Sequence, residues 1–207
     1  MSVSTYWWSQ AAVFLLLVWL LQRLLPGIRG LLLSSLVAVA LCVVPFFGHE
    51  LRYWLSGLTP NVSIPLLVLL FIGILQRSGL AALFRPREWS SAWIFGTVAA
   101  LLLYPSALGL GLRNYDSYSL GWPWLDWTAS FVLFAPVALA AAILICFGNR
   151  FGWVLVLGAL SFLARAQESS NFWDYLLDPV YGAVALCLVV RSILHRRRAT
   201  GVARLQQ

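Results

Sequence analysis

Three side chains of this sequence could take part in acid–base chemistry, namely His49, Asp126 and Asp174. Imidazole and carboxylate groups are those that enzymes most often use to transfer protons. Asp126 and Asp174 are notable because neither has an arginine within three residues that would explain it as half of an ion pair. If the protein is an enzyme, these three residues are the catalytic candidates.

Four other carboxylates, which lie in the same three segments of the sequence (47–60, 111–127 and 165–179), have simpler local explanations. Three lie within three residues of an arginine, in the pairs Glu50–Arg52, Asp116–Arg113 and Glu168–Arg165. If the helix before Arg165 continues through Gln167, Arg165 and Glu168 meet on one helical face. Asp178 directly precedes Pro179, which is the pattern of a helix N-cap followed by proline at the first helical position. These residues are therefore weaker candidates for chemistry.

Metal and cofactor chemistry has little support in the sequence. His49-Glu50 begins like the zinc-protease motif HExxH, but Tyr53 stands where the second histidine is needed. The other histidine, His195, lies in the C-terminal tail, so no site with several histidines is expected. The chain has no lysine for a Schiff base and no Walker-type loop. We expect no metal and no cofactor.

Aromatic residues are concentrated in the segments that hold the acidic residues. All seven tyrosines and seven of the eleven tryptophans lie in or near three segments, 47–60, 111–127 and 165–179, and the N-terminus. Rings can stack on the apolar face of a sugar while carboxylates bind its hydroxyl groups. The predicted set for a lipid headgroup or glycan is Arg113, Tyr115, Asp116, Trp122, Trp124, Trp127, Glu168, Asn171, Trp173 and Asp174. The alternative is that these aromatic residues only anchor the protein at the membrane surface.

The sequence between these three segments is typical of transmembrane helices. Of 207 residues, 61% are hydrophobic and 10% are charged, whereas soluble domains have about 25% charged residues. Apolar stretches close to the length that crosses a bilayer recur along the whole chain. We predict an all-α transmembrane bundle that forms a single integral membrane domain, 1–207, with a basic tail, 195–207. The predicted spans are 9–25, 31–47, 61–75, 92–110, 128–147, 151–164 and 179–194.

The charged residues orient the predicted bundle. Eleven of the fourteen arginines and one of the seven acidic residues lie in the tail and in alternate loops, and the other loops hold three arginines and six acids. Because basic residues in short loops stay on the cytoplasmic side, the C-terminus is predicted inside and the N-terminus outside. The arginines are spread over several loops, so we expect no nucleic-acid partner.

The predicted spans themselves favour packing over ion transport. No Asp, Glu, Lys or His lies in the middle of a span, which argues against a proton-coupled pump. Small residues recur four apart on two spans, at Ser34, Ala38 and Cys42 and at Ala138, Ala142 and Cys146. Such faces let helices approach closely, within the chain or against a partner subunit.

These patterns predict a multi-pass protein of a bacterial inner membrane. The bacterial origin is inferred from the absence of lysine beside abundant Arg, Ala, Gly and Leu. We expect a non-catalytic subunit of a cell-envelope assembly or export system, whose outer face binds a lipid headgroup, a glycan or a membrane-protein partner. One alternative is a membrane-embedded enzyme that acts on a lipid-linked or glycan substrate with Asp126, Asp174 and His49. The other is a transporter or lipid flippase.

Overall fold

The chain is all-α. The computed structural model describes residues 3–58, 61–110, 116–122 and 127–205. Within these ranges no β-strand occurs, and the only bridge of β type joins Phe46 to His49. The predicted fold class is therefore confirmed as far as its helical character.

Each predicted apolar stretch lies mostly within one helix, although several predicted spans extend three or four residues past the helix end. These seven helices are α1 (Val3–Leu21), α2 (Gly27–Val43), α4 (Ile64–Arg77), α5 (Pro86–Ala107), α6 (Trp127–Cys146), α7 (Phe151–Leu163) and α9 (Pro179–Leu205). Shorter helices lie in the predicted loops, namely α3 (Leu51–Leu58), the 3₁₀ helix Ser117–Gly121 and α8 (Phe172–Leu176). The apolar pattern thus located the long helices, while two of the short ones, the 3₁₀ helix and α8, begin at the capping residues Asp116 and Asn171.

The end of α7 differs from the prediction. The helix stops at Leu163, and Arg165 has a φ of 50°. The amide of Ala166 donates to Ser161 O and that of Arg165 to Phe162 O, so a left-handed residue closes the helix in a Schellman motif. The prediction of a helix through Gln167 is wrong, and Arg165 and Glu168 do not share a helical face.

The most extensive helix packing among the described residues joins α5 to α9. A Cβ atom on Gly96 would lie 2.9 Å from the Cβ of Ala185, so only glycine permits this approach. The hydroxyl of Tyr181 in α9 donates to Ala92 O in α5 at 2.6 Å. On α2, the predicted small residues Ser34 and Ala38 are fully buried in the fold. One of the two small-residue faces is therefore used within the chain.

The outside of the bundle is apolar. On α2, Leu32, Leu36 and Val43 expose 63%, 70% and 72% of their surface. Among the described residues, one helix, Pro86–Ala107, has the length and apolar composition needed to cross a membrane. Shorter apolar stretches of 10–17 residues occupy the other long helices: Trp7–Leu21, Gly27–Val43, Ile64–Arg77, Phe134–Cys146, Phe151–Leu163 and Pro179–His195.

Hydrogen bonds between distant segments gather at two places, which we call the acidic end and the arginine end. The acidic end consists of the N-terminal half of α1 and residues 46–58, 61–63, 116–122 and 165–178, joined for example by Trp8 Nε1 donating to Ala166 O at 2.7 Å. The arginine end consists of residues 19–29, 76–91 and 147–150, where Arg87 donates to Gly148 O at 2.8 Å and Arg150 to Leu83 O at 2.6 Å. Loops with the same charge character thus contact one another.

Candidate functional site at the acidic end

Asp174 lies at the centre of a polar network that joins three segments. Its Oδ1 accepts a hydrogen bond from the hydroxyl of Tyr118 in the 3₁₀ helix. Its Oδ2 accepts from Ser169 Oγ at 2.5 Å and from Asn61 Nδ2, just before α4, at 3.3 Å. Both carboxylate oxygens are therefore bound by donors of the protein itself.

Tyr118 is fixed as a donor in this network. Burial, followed by the hydrogen bond to Asp174, raises the pKa of Tyr118 above its ordinary value. The phenol therefore stays protonated at neutral pH and cannot serve as a general base there. Its backbone is held as well, because Asp116 Oδ1 accepts from Tyr118 N at 2.9 Å and caps the 3₁₀ helix.

Asp178, four residues further on, joins α9 to α4. Its side chain is 2% exposed, and Oδ1 accepts from Tyr181 N at 2.8 Å, so the predicted N-cap is present. Oδ2 accepts from Ser63 N at 2.9 Å and from Ser63 Oγ at 2.5 Å. Burial raises the pKa of Asp178 above its ordinary value, and these hydrogen bonds partly oppose that effect. The same carboxyl group thus caps one helix and binds the cap of another.

The loop between α7 and α8 is held by buried polar side chains. Gln167 donates from Nε2 to Val62 O at 2.7 Å, and its Oε1 is buried without a partner. Tyr175 is fully buried and its hydroxyl lies 2.9 Å from Gln167 O. Asn171 donates to Tyr118 O at 3.0 Å and packs so tightly that a Cβ on Gly121 would lie 1.8 Å from Asn171 Oδ1. The loop is therefore bound to the segments around residues 62 and 118.

Two cavities open beside the network. One, of about 360 Å³, is lined by Arg165, Gln167, Glu168, the two serines that follow, and the end of α7. The other, of about 460 Å³, is an apolar groove between α5 and α9. Tyr104 lines this groove, and its hydroxyl group is buried without a hydrogen-bond partner.

The structure brings together part of the predicted ligand-binding set. Asp174, Asn171 and Trp173 lie on or beside α8, and Trp173 packs against the hydrophobic core while its Nε1 has no partner. Trp122 follows the 3₁₀ helix and is partly buried, and Glu168 lines the smaller cavity. Arg113, Tyr115, Trp124 and Asp126 lie outside the described residues, as does the side chain of Trp127 at the start of α6.

Two of the three catalytic candidates, His49 and Asp174, have different neighbours. The imidazole of His49 stacks on Tyr53, with ring centroids 4.2 Å apart, and meets the edge of Trp54 at 6.1 Å. The described hydrogen bonds of Asp174 come instead from Tyr118, Ser169 and Asn61. Among the described residues, no cluster of three or more metal-binding side chains occurs.

Sequence reasoning missed several residues of this site, namely Asn61, Ser63, Tyr118, Gln167 and Tyr175. The sequence pattern around one of them, Ser63, could have indicated its role. Ser63 stands two residues before Pro65 at the start of an apolar run, which is typical of a helix N-cap. The others depend on contacts between distant segments, and nothing in their spacing indicates them.

Comparisons with protein-family models, with curated proteins and with solved structures find no match for the chain. The chemistry of the site therefore has to be argued from its own residues. The described carboxylates of the network act as hydrogen-bond acceptors between segments, and the cavities beside them offer surfaces where a ligand or partner could bind.

Proposed function

We propose that this chain is a seven-span protein of a bacterial inner membrane and a non-catalytic subunit of a cell-envelope assembly or export system. In this proposal the acidic end faces the periplasm and binds a lipid headgroup, a glycan or a partner protein. The arginine end and the basic tail face the cytoplasm.

The apolar exterior supports the membrane part of the proposal. Large aliphatic side chains cover the outside of α2, α5 and α7, including Leu33, Leu102 and Leu160, which expose 50%, 65% and 55% of their surface. Exposed apolar patches of this extent are rare on soluble monomers. Helices of 13 to 17 residues are shorter than the usual 20, so the bilayer would have to thin around them or their ends would lie in the headgroup layer.

The single observation that supports a non-catalytic role is that the carboxylates of Asp174 and Asp178 already accept hydrogen bonds from the protein itself. Each carboxylate accepts three hydrogen bonds from the protein, and each joins segments more than 50 residues apart. A general base needs an oxygen that can reach the substrate. These carboxylates instead hold the acidic end in one shape, which suits a binding face.

A helix face on α6 supports the role as a subunit. Ala138 and Ala142 are exposed on the outside of the bundle, whereas Ala38 of the matching pattern is buried. Small side chains on an outer face allow another transmembrane helix to approach closely.

The enzyme remains a second candidate because of the groove between α5 and α9. The groove has the apolar lining that an acyl chain requires, and the buried hydroxyl of Tyr104 has no partner within the protein. A lipid-linked substrate could supply that partner. If the protein is such an enzyme, Asp126 is the predicted catalytic carboxylate to test, because Asp174 already accepts three hydrogen bonds from the protein.

The topology is tested by cysteine labelling in two samples: cells in which only the outer membrane is permeabilised, and lysed cells. In a chain whose three cysteines are replaced by alanine, Glu168→Cys should react with a membrane-impermeant maleimide from the periplasmic side. Ser90→Cys, at the arginine end, should react only after the inner membrane is opened. Equal labelling of both positions before lysis would contradict the proposed membrane arrangement.

The functional role is tested by purifying the tagged chain in a mild detergent and analysing bound proteins and lipids by mass spectrometry. A stoichiometric protein partner that is lost in Ala138→Leu, but kept in the control Leu139→Ala, would support the subunit role. A chain that purifies alone with an enriched lipid or glycan, and loses function in Asp126→Asn, would instead support the enzyme.

A further inference from the structure

The arginine end contains a pair of cations that share one aromatic ring. Trp19 lies in the last turn of α1, and the guanidinium carbon of Arg23 lies 4.0 Å from its ring centroid. Arg77, at the end of α4, places its guanidinium carbon 4.8 Å from the same ring. Both distances are within the range of cation–π contacts. Two positive charges from different segments therefore converge on one indole.

Among the described residues, no carboxylate forms an ion pair with either arginine. The one acidic residue of the arginine end, Glu88, is buried, accepts from Arg85 N and lies 3.9 Å from Arg87 Nε. Within the described part of the chain, neither Arg23 nor Arg77 forms an ion pair. Burial and then the nearby Arg23 cation lower the pKa of Arg77, which lies beyond the predicted span. An anion between the two guanidinium groups would relieve this repulsion.

The other described arginines of this end with recorded contacts serve the fold. Arg87 and Arg150 each donate from the side chain to a loop carbonyl, whereas Arg85 is held through its backbone amide, which donates to Glu88 at the start of α5. Arg77 uses one of its donors, with Nη1 donating to Trp19 O at 3.0 Å, and the described contact of Arg23 is with the ring alone. A guanidinium group has five N–H donors in a planar fork that matches phosphate oxygens. Most of the donors of this pair remain available.

We propose that Arg23, Arg77 and Trp19 form a binding site for a phosphate group, carried by an anionic lipid headgroup or by a soluble phosphate. The two guanidinium groups bind the phosphate oxygens, and their contacts with the indole hold both side chains in place. This site lies at the opposite end of the bundle from the acidic network and does not depend on the role proposed for that network.

The test is native mass spectrometry of the purified, delipidated full chain in detergent. Phosphatidylglycerol, phosphatidylcholine and inorganic phosphate are titrated separately into the wild type, Arg23→Gln, Arg77→Gln and Arg77→Lys. The matched control is Arg191→Gln, which removes an exposed charge from α9. We expect phosphatidylglycerol to bind more tightly than phosphatidylcholine, and each glutamine variant to weaken it about tenfold, as for a lost charge-assisted pair.

The remaining outcomes separate the sources of the phosphate. Binding of inorganic phosphate that depends on the same two arginines, without binding of the lipid, would assign a soluble phosphate. Equal weakening in Arg191→Gln would overturn the proposal because only overall charge would then matter. No weakening in Arg23→Gln would also overturn it, because binding would then not depend on this guanidinium group. Arg23 is exposed and bonds to no backbone carbonyl, so its variant is expected to keep the fold, which thermal unfolding checks.

Discussion

Replacing Asp178 by alanine is expected to destabilise the protein strongly. The change removes the N-cap of α9, which contributes about 1 kcal/mol to helices in general. It also leaves two donors of Ser63, the backbone N–H and the hydroxyl, without their partner in a buried site. Each buried donor without a partner costs about 1–3 kcal/mol. The free energy of unfolding should therefore fall by about 4 kcal/mol.

Thermal unfolding of the purified chain in detergent, followed by tryptophan fluorescence, measures this loss. For a chain of this size, 1 kcal/mol corresponds to a change in Tm of about 2–4 °C, so Asp178→Ala should lower Tm by about 10 °C. The control is Asp116→Ala, which removes an exposed cap of the 3₁₀ helix. Its Tm should fall by only about 2 °C, because water can replace the lost acceptor.

A double-mutant cycle with Ser63→Ala tests the assigned partner. If Asp178 acts through Ser63, the loss in the double variant should be smaller than the sum of the two single losses by about 1 kcal/mol or more. Additive losses, or a fall for Asp178→Ala no larger than for the Asp116 control, would refute the assignment of Asp178 as the joint between α4 and α9.

Three further predictions follow from the packing and from the buried carboxyl group. Gly96→Leu should prevent the approach of α5 to α9 and abolish folded protein, seen as loss of a monodisperse peak in size-exclusion chromatography, whereas Gly57→Ala, with open space around its Cα, should behave like the wild type. Ala38→Leu should lower Tm because Ala38 is fully buried, while Ala138→Leu should leave Tm unchanged. Because burial raises the pKa of Asp178 in the folded state, the stability that comes from protonating this carboxyl group is fully present below its unfolded pKa and is lost as pH rises through the folded pKa, whereas the hydrogen bonds that it accepts do not require the proton. The Tm of the wild type minus that of Asp178→Asn should therefore increase as pH is lowered from about 8 to about 4, and a decrease would contradict the raised pKa.

Local pattern located much of the architecture in advance. The backbone N–H and C=O groups of a long apolar run need hydrogen-bond partners within the protein, and a helix provides them within the same segment. The seven predicted spans therefore lie on seven helices. Asp178 before Pro179 could likewise be predicted as an N-cap, because the capping hydrogen bond joins residues only three positions apart.

Features that depend on distant segments were decided by the tertiary structure alone. The partners of Asp174 come from positions 61 and 118, and the second partner of Asp178 comes from position 63. No spacing rule connects such residues, since their meeting depends on how α4, α5 and α9 pack. The end of α7 was also misjudged, because Arg165 adopts the left-handed conformation that glycine usually provides at this position. The sequence by itself determined the helices and the charge of the loops, and the packing decided that Asp174 and Asp178 hold the acidic end together.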